Sequence, residues 1–347
     1  MSLYDYNQDE FAELLRDTPK YRRTQLWEGL YTHLLEPHDI LTLPADLRTH
    51  ISSLAPSALI EIQCVDADDG NTVKFLWHLA NGDHPIETVL MYYDDRATVC
   101  VSTQAGCAMA CGFCATGQAG FTRHLTAGEI IEQVVRSARE AKKHNRRIDN
   151  IVFMGMGEPL ANVGPVWTAV QRIHGDIGIS ARHITVSTVG IIPGIRALTD
   201  WSLPVNLAVS MHAARNDLRD ELVPINKRYP IEDLIAACRD YLSVKNRRVT
   251  FEWALIDKVN DTDRDAKELA DLCRRLQPSA HVNLIPLNPT PGWPTTGSSP
   301  RRVREFRDLL QSLGVNATIR NNRGTEIAAA CGQLAAGQPV VIRSAKV

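Results

Sequence analysis

No stretch of the 347-residue chain approaches the roughly 18 unbroken apolar residues of a membrane span, and the opening residues MSLYDYNQDE carry neither a positive n-region nor an apolar h-region. The expectation is a cytoplasmic protein with no membrane partner. An excess of one charge is missing too. Lys and Arg number 38 against 40 Asp and Glu, a net −2, which excludes a basic coat that gathers nucleic acid by bulk attraction. Eight cysteines, at 64, 100, 107, 111, 114, 238, 273 and 331, are too sparse and uneven for a disulfide scaffold in a chain this long. There is no internal repeat, no low-complexity tract and no RRM or KH signature. At 44% hydrophobic and 22% charged residues, the chain is an ordinary globular one with a sizeable core.

Residues 1–60 read as three helical stretches, Glu10–Leu15, Thr24–Tyr31 and Asp46–Leu54, parted by Pro19, Pro37 and Pro44. Residues 61–92 turn to short strand patterns with turns at Asp69-Gly70-Asn71 and Asn81-Gly82-Asp83, an antiparallel β connector. From 93 to 325, strand candidates Thr98–Ser102, Asn150–Met154, His183–Ser187, Val205–Ser210, Val249–Ile256, His281–Leu287 and Ala317–Arg320 alternate with helical segments. The first helix, Thr126–His144, opens on the capping box Thr126-Ala127-Gly128-Glu129. The others are Pro165–His174, Pro193–Thr199, Pro230–Val244, Asp261–Leu276 and Ser299–Leu313. Such alternation suits an α/β fold with a parallel sheet, a full or partial (β/α) barrel whose chemistry lies at the C-terminal ends of the strands. Asn288–Pro300, NPTPGWPTTGSSP, has the composition of a binding loop at such an end.

Just after the first barrel strand stands Cys107-Ala108-Met109-Ala110-Cys111-Gly112-Phe113-Cys114. Three thiols so close point to a soft metal centre, zinc or iron-sulfur. Structural zinc takes four closed ligands, and neither a second Cys pair nor a His pair accompanies these three. A 4Fe-4S cube held by three cysteines keeps one iron open to a small ligand.

The CxxxCxxC spacing, the aromatic Phe113 and the later Gly155-Met156-Gly157-Glu158-Pro159 resemble the radical S-adenosylmethionine (SAM) superfamily. More narrowly, VSTQAGCAMACGFCATGQAGFTR, FMGMGEPLAN, VSTVG, AVSMHA, LVPINKRY, HVNLIPLNPTPG and AAACGQLA resemble, in order, the ribosomal RNA adenine methyltransferases of the RlmN and Cfr type. The resemblance implies a partial, TIM-like radical SAM barrel, with a helical RNA-binding domain at 1–60 and a C-terminal segment at 326–347 that carries Cys331.

It also implies one 4Fe-4S cluster on Cys107, Cys111 and Cys114, and two SAM molecules per turnover. Gly157, Glu158, Ser187, Ser210, His212 and Asn288 would contact SAM. Cys331 would be methylated by one SAM. The 5′-deoxyadenosyl radical from the other would take hydrogen from that S-methyl group, and the resulting radical would join the adenine. Cys100 would resolve the covalent adduct and end in a transient disulfide with Cys331, and Glu87 would accept the proton. Without the family, Cys100 reads as a small apolar residue of a strand and Glu87 as a solvated strand carboxylate. Val189 departs from the pattern, since relatives commonly have a small polar residue there.

The implied partners are 23S ribosomal RNA, transfer RNA and a reductant for the cluster, with a monomer as the default state. The implied reaction is methylation at C2 of the peptidyl-transferase-centre adenine and of the adenine beside the anticodon. Methylation at C8, as in the Cfr branch, is the alternative, and a non-enzymatic iron-sulfur or zinc module that binds RNA is a third reading. Local basic groups would have to grip the phosphates: Lys20 with Arg22 and Arg23, the run 142–147, Arg301, Arg302 and Arg304, and Arg320 with Arg323.

Overall fold

The computed structural model describes residues 2–67, 70–278, 280–290, 292–320 and 323–335. Asp69 and the chain after residue 335, both part of the expectations above, lie outside these residues. Three helices open the chain, α1 (Gln8–Leu14), α2 (Lys20–Tyr31) and α3 (Ala45–Leu54). The connector follows as β1 (Leu59–Asp66), β2 (Thr72–Leu79) and β3 (Gly82–Tyr92), paired antiparallel in sequence. β3 pairs antiparallel with β4 (Ala97–Cys100), the first strand of the parallel array.

That array continues with β7 (Asn150–Phe153), β8 (Ile184–Thr188), β9 (Asn206–Ser210), β10 (Val249–Leu255), β11 (His281–Pro286) and β12 (Ala317–Ile319), each parallel to the last. A small hairpin, β5 (Gln104–Gly106) with β6 (Phe121–His124), stands apart. Among the described residues β12 does not return to β4, so the barrel is open. All seven expected barrel strands are present. Helices α5 (Ala127–Lys143), α6 (Val163–Gly175), α7 (Ile192–Asp200), α9 (Ile231–Lys245), α10 (Asp263–Arg274) and α11 (Pro300–Ser312) match the six expected ones. The short α4 (Ala115–Ala119) and α8 (Asn216–Leu222) were not expected, because each is barely two turns long and lacks an amphipathic repeat.

α5 shows how sequence becomes packing. Thr126 Oγ1 accepts from the Glu129 amide at 3.2 Å and Glu129 returns the bond to the Thr126 amide at 2.9 Å. Its buried stripe, Ile130, Ile131, Val134, Val135 and Ala138, lies on the sheet, and burying each large aliphatic contributes roughly 1.5–3 kcal/mol. The main hydrophobic core includes residues from Leu3 to Leu334, and a second, smaller one gathers Cys111, Phe113, Leu222 and Ile256. The opening helices are stapled to the main core by two arginines. Arg172 of α6 lies over the Trp27 ring at 4.8 Å and donates to the Tyr6 carbonyl at 2.9 Å. Arg139 of α5 donates to the Tyr4 hydroxyl at 3.1 Å and the Leu35 carbonyl at 2.9 Å.

Candidate active site

The cysteine loop leaves β5 through Gly106, whose φ of 74° lies in the left-handed region and where a Cβ would strike the Gly120 carbonyl. The same carbonyl accepts from the Cys107 amide at 2.6 Å, which fixes the loop's entry. The Asn288–Pro300 loop folds over this segment. Gln118 donates to Thr290 at 3.2 Å, and Trp293 meets Phe113 edge to face at 6.4 Å.

Alternate residues of the parallel strands point inward, as the two-residue strand period requires, and they line two cavities. The first, about 160 Å3, gathers Cys107, Cys111, Cys114, Gly157, Glu158, Ser187, Ser210, His212, Asn288 and Cys331. The second, about 610 Å3, runs down the barrel interior past Thr98, Cys100, Asn150, Thr185, Asn206, Asn283 and Thr318, and it also holds Cys331. Cys331 thus belongs to both. Cys100 lines only the second, and Glu87 lines neither.

Cys111 is buried, and burial together with the neighbouring Cys114 and Cys107 thiols pushes its thiol well up; burial takes Cys107 up to about 12. Crowded thiols of this kind need a strongly cationic centre before they give up their protons. Among the described residues no three Cys, His, Asp or Glu groups are disposed to hold a metal ion. Three thiols are one ligand short of a closed structural zinc site, whereas three cysteines on a 4Fe-4S cube leave one iron open. The donor set fits a cluster.

Beside the thiols, Gly157 (φ 101°) brings backbone so close to Gln104 that a Cβ would lie 2.5 Å from its side chain. Glu158 is buried, and that burial raises its carboxyl to about 7. Opposing the rise, its carboxylate accepts from the Val189 and Leu160 amides, both at 2.9 Å. A cation placed beside it would favour its charged form and offset the rise. Val189, the departure noted in the sequence, works through its backbone: its amide serves Glu158 and its carbonyl accepts from Arg219 at 2.7 Å.

His212 has left-handed backbone (φ 56°), and its Nδ1 accepts from the Ala254 amide at 2.9 Å. Burial lowers the imidazole to about 3, so the ring is neutral with its proton on Nε2. Arg219, fully buried on α8, donates to the Val189, Ser210 and Met211 carbonyls and to Asn226. Burial lowers its guanidinium to about 10, still charged at neutral pH. It ties the chain ends after β8 and β9 into one rim. Arg219→Met is expected to cost roughly 3–5 kcal/mol by stranding those carbonyls, which urea unfolding would read; unchanged stability would remove this role.

The C-terminal loop crosses the mouth on four anchors. Asn288 donates to the Cys331 carbonyl at 3.0 Å, the Ala115 amide to the Gly332 carbonyl at 2.8 Å, and Thr116 to the Leu334 carbonyl at 2.5 Å. The fourth is Glu87, which accepts from the Ala335 amide at 2.9 Å and pairs with Lys74 at 3.0 Å. Glu87 is buried, contrary to its reading as a solvated strand carboxylate.

Cys331 keeps accessible surface because it faces the cavities. Its thiol is nonetheless pushed up by the surrounding protein, an effect that Arg320 opposes. Burial takes Cys100 up to about 12, and Cys331 adds to the rise. All eight cysteines are free thiols, with no disulfide formed.

Two cavity residues escaped the sequence reading of the site. Glu252 of β10 is buried, accepts from Asn283 at 2.8 Å and pairs with Arg320 at 3.4 Å. Arg320 itself had been read only as a phosphate contact. A lone carboxylate in VTFEWAL was the available signal, since a charge amid strand apolars is buried with a partner or not at all. The basic run 142–147 is largely committed to the protein. Lys143 pairs with Glu140 at 2.7 Å, Arg147 with Asp149 at 3.1 Å, and Arg146 donates to the Tyr93 and Arg96 carbonyls. Arg301 and Arg302 likewise pair with Glu305 and Asp263.

The radical SAM superfamily pattern matches residues 101–273. A "Probable dual-specificity RNA methyltransferase RlmN" of Chloroflexus aurantiacus is 46% identical over 99% of this chain and 94% of its own length. A protein of the same name from Parafrankia sp. is 48% identical over 94% of this chain and 89% of its own. The crystal structure of a radical SAM methyltransferase from Sphaerobacter thermophilus superposes with a TM-score of 0.93 at 48% identity, covering 97% of this chain and 99% of the other.

Proposed function

The chain belongs to the RlmN-type RNA methyltransferases of the radical SAM family, and on that premise we propose that it methylates C2 of an adenine in 23S ribosomal RNA and of the adenine beside the anticodon in transfer RNA. The observation that carries this reading is the double exposure of Cys331, the one thiol outside the cluster trio that lines the first cavity as well as the second.

Cys107, Cys111 and Cys114 would hold the 4Fe-4S cluster, and Gly157, Glu158, Ser187, Ser210, His212 and Asn288 would hold SAM in the first cavity. When bound, cluster and SAM supply one-electron chemistry that ends in hydrogen-atom abstraction. The raised carboxyl of Glu158 receives the SAM ammonium, and His212 offers its Nε2 proton as a donor into the cavity. Cys331 would accept the methyl group on sulfur, with its thiol proton passing to solvent and the demethylated donor leaving as a neutral thioether, and would carry the carbon into reach of the base.

Because Cys331 is among the residues that line both cavities, the base would occupy the second one, after leaving its stack. Cys100 faces that cavity alone, which suits attack on the Cys331 sulfur from the base side. For Glu87 to take the proton from the base, the loop end at Ala335 has to move off its carboxylate. The opening helices present Lys20, Arg22 and the exposed Tyr21 for backbone contact with RNA.

Anaerobic turnover with SAM, a reductant and a ribosomal RNA fragment, followed by nucleoside mass spectrometry, is expected to yield 2-methyladenosine. A yield of 8-methyladenosine instead would overturn the C2 assignment, and SAM cleavage with no methylated adenosine would overturn the substrate.

A further inference from the structure

The second cavity has a charge its size does not require. Arg96, Arg182, Arg320 and Arg323 all line it, with His183, and no Asp or Glu stands among its lining residues. At one side of it two guanidiniums rest on a single ring: Arg96 lies 4.3 Å and Arg323 4.4 Å from the centroid of Tyr93. Arg96 shares its charge with Asp95 beside it, at 2.9 Å. Arg323 is different: its Nε is buried without a hydrogen-bond partner, and among the described residues no carboxylate pairs with it. Arg182 likewise makes no side-chain hydrogen bond or ion pair among the described residues, while its own carbonyl accepts from Asn206 at 2.7 Å.

Arg182 reaches solvent and Arg323 is half-buried with its Nε unpartnered, so the cavity keeps guanidinium charge that is free to meet an anion. That charge is complemented by a ligand that is anionic along its length and flat between its charges. Single-stranded RNA has this form, with phosphates for the guanidiniums and bases for the stacked plane.

We infer that Tyr93, Arg96, Arg323 and Arg182 form the grip for the unstacked RNA strand that flanks the target base. Arg323 and Arg182 meet phosphates, and the stack of Arg96, Tyr93 and Arg323 offers an outer guanidinium plane, held by the ring, to a neighbouring base. The inference rests on the reading above that the base enters the second cavity. It adds which residues hold the strand outside the reacting atoms. The backbone carbonyls of Tyr93 and Arg96 are held by Arg146, which makes the turn a firm platform.

The test is equilibrium binding of a fluorescent RNA stem-loop containing the target adenine, read by anisotropy at several salt concentrations with the full chain. Arg323→Ala and Arg182→Ala each remove a guanidinium that makes no hydrogen bond among the described residues, so folding is expected to survive. Together they are expected to weaken binding about 10- to 100-fold at physiological salt and to make the slope of log affinity against log salt shallower by roughly 1.4, two phosphate contacts of about 0.7 each. Tyr93→Ala is expected to weaken binding about 10-fold with the slope unchanged, and Tyr93→Phe to leave it near the wild-type value. Arg264→Ala, on the outer helix α10, serves as the control and should change nothing. Unchanged affinity and slope in the double arginine variant would overturn the grip. Methylation of the same RNA by the unaltered protein is scored separately, so loss of the grip and loss of the proposed reaction are told apart.

Discussion

Cys331→Ala is expected to form no methylated RNA, a loss of at least about a thousandfold, while iron content and reductive cleavage of SAM persist. The expectation follows from how the loop is held. Four anchors of the crossing segment use its backbone: the Cys331 and Gly332 carbonyls, the Leu334 carbonyl and the Ala335 amide. Alanine leaves all four in place, so what disappears is the sulfur. No other thiol is placed to substitute, because Cys100 does not line the first cavity and Cys107, Cys111 and Cys114 are the proposed cluster ligands. Nucleoside mass spectrometry alongside an assay of 5′-deoxyadenosine separates the outcomes. Methylated adenosine from this variant would show that the methyl group does not travel on Cys331.

Removing the second thiol should have the opposite signature, accumulation rather than absence. Cys100→Ala is expected to trap RNA covalently on Cys331, visible as a protease-sensitive band of reduced mobility on a denaturing gel, with turnover down about 100-fold. The resolving step needs the Cys100 thiolate, and its thiol sits up near about 12. Below that value the thiolate fraction rises tenfold per pH unit, so in the unaltered protein the adduct should grow shorter-lived as pH rises from 7 to 9. Free turnover in the Cys100→Ala variant, with no trapped species, would remove Cys100 from the reaction.

Cys331 and Cys100 stood out in the sequence only through the family resemblance, whereas the seven parallel strands were legible in their apolar runs. What escaped has physical reasons. Glu252 and Arg320 lie 68 residues apart and meet because β10, β11 and β12 are neighbours; no local pattern records such a pair. Arg219 sits in a polar stretch, NDLRDEL, that reads as surface until the rim carbonyls it serves are seen. The run 142–147 was open to two readings in the sequence, a solvated helix end or a phosphate contact. Its cations follow a helix end, where they are favoured with or without RNA, and several turn back to the protein. Glu87 showed only its strand; that it is buried against the crossing loop depends on a contact 248 residues away.

The open barrel with its polar interior has a thermodynamic consequence. A closed α/β barrel fills its centre with branched side chains, but here Thr98, Asn150, Thr185, Asn206, Asn283 and Thr318 keep the centre solvated. The apolar surface that would have been buried on the axis is forgone, and cohesion falls to the shell between strands and helices, where Ile151, Val186, Leu207 and Phe251 are fully buried. Substitutions that close the axis with aliphatic side chains would raise thermal endurance and obstruct the path to Cys100 and Cys331 together. The hollow therefore sets an upper limit on how robust this scaffold becomes while it still works.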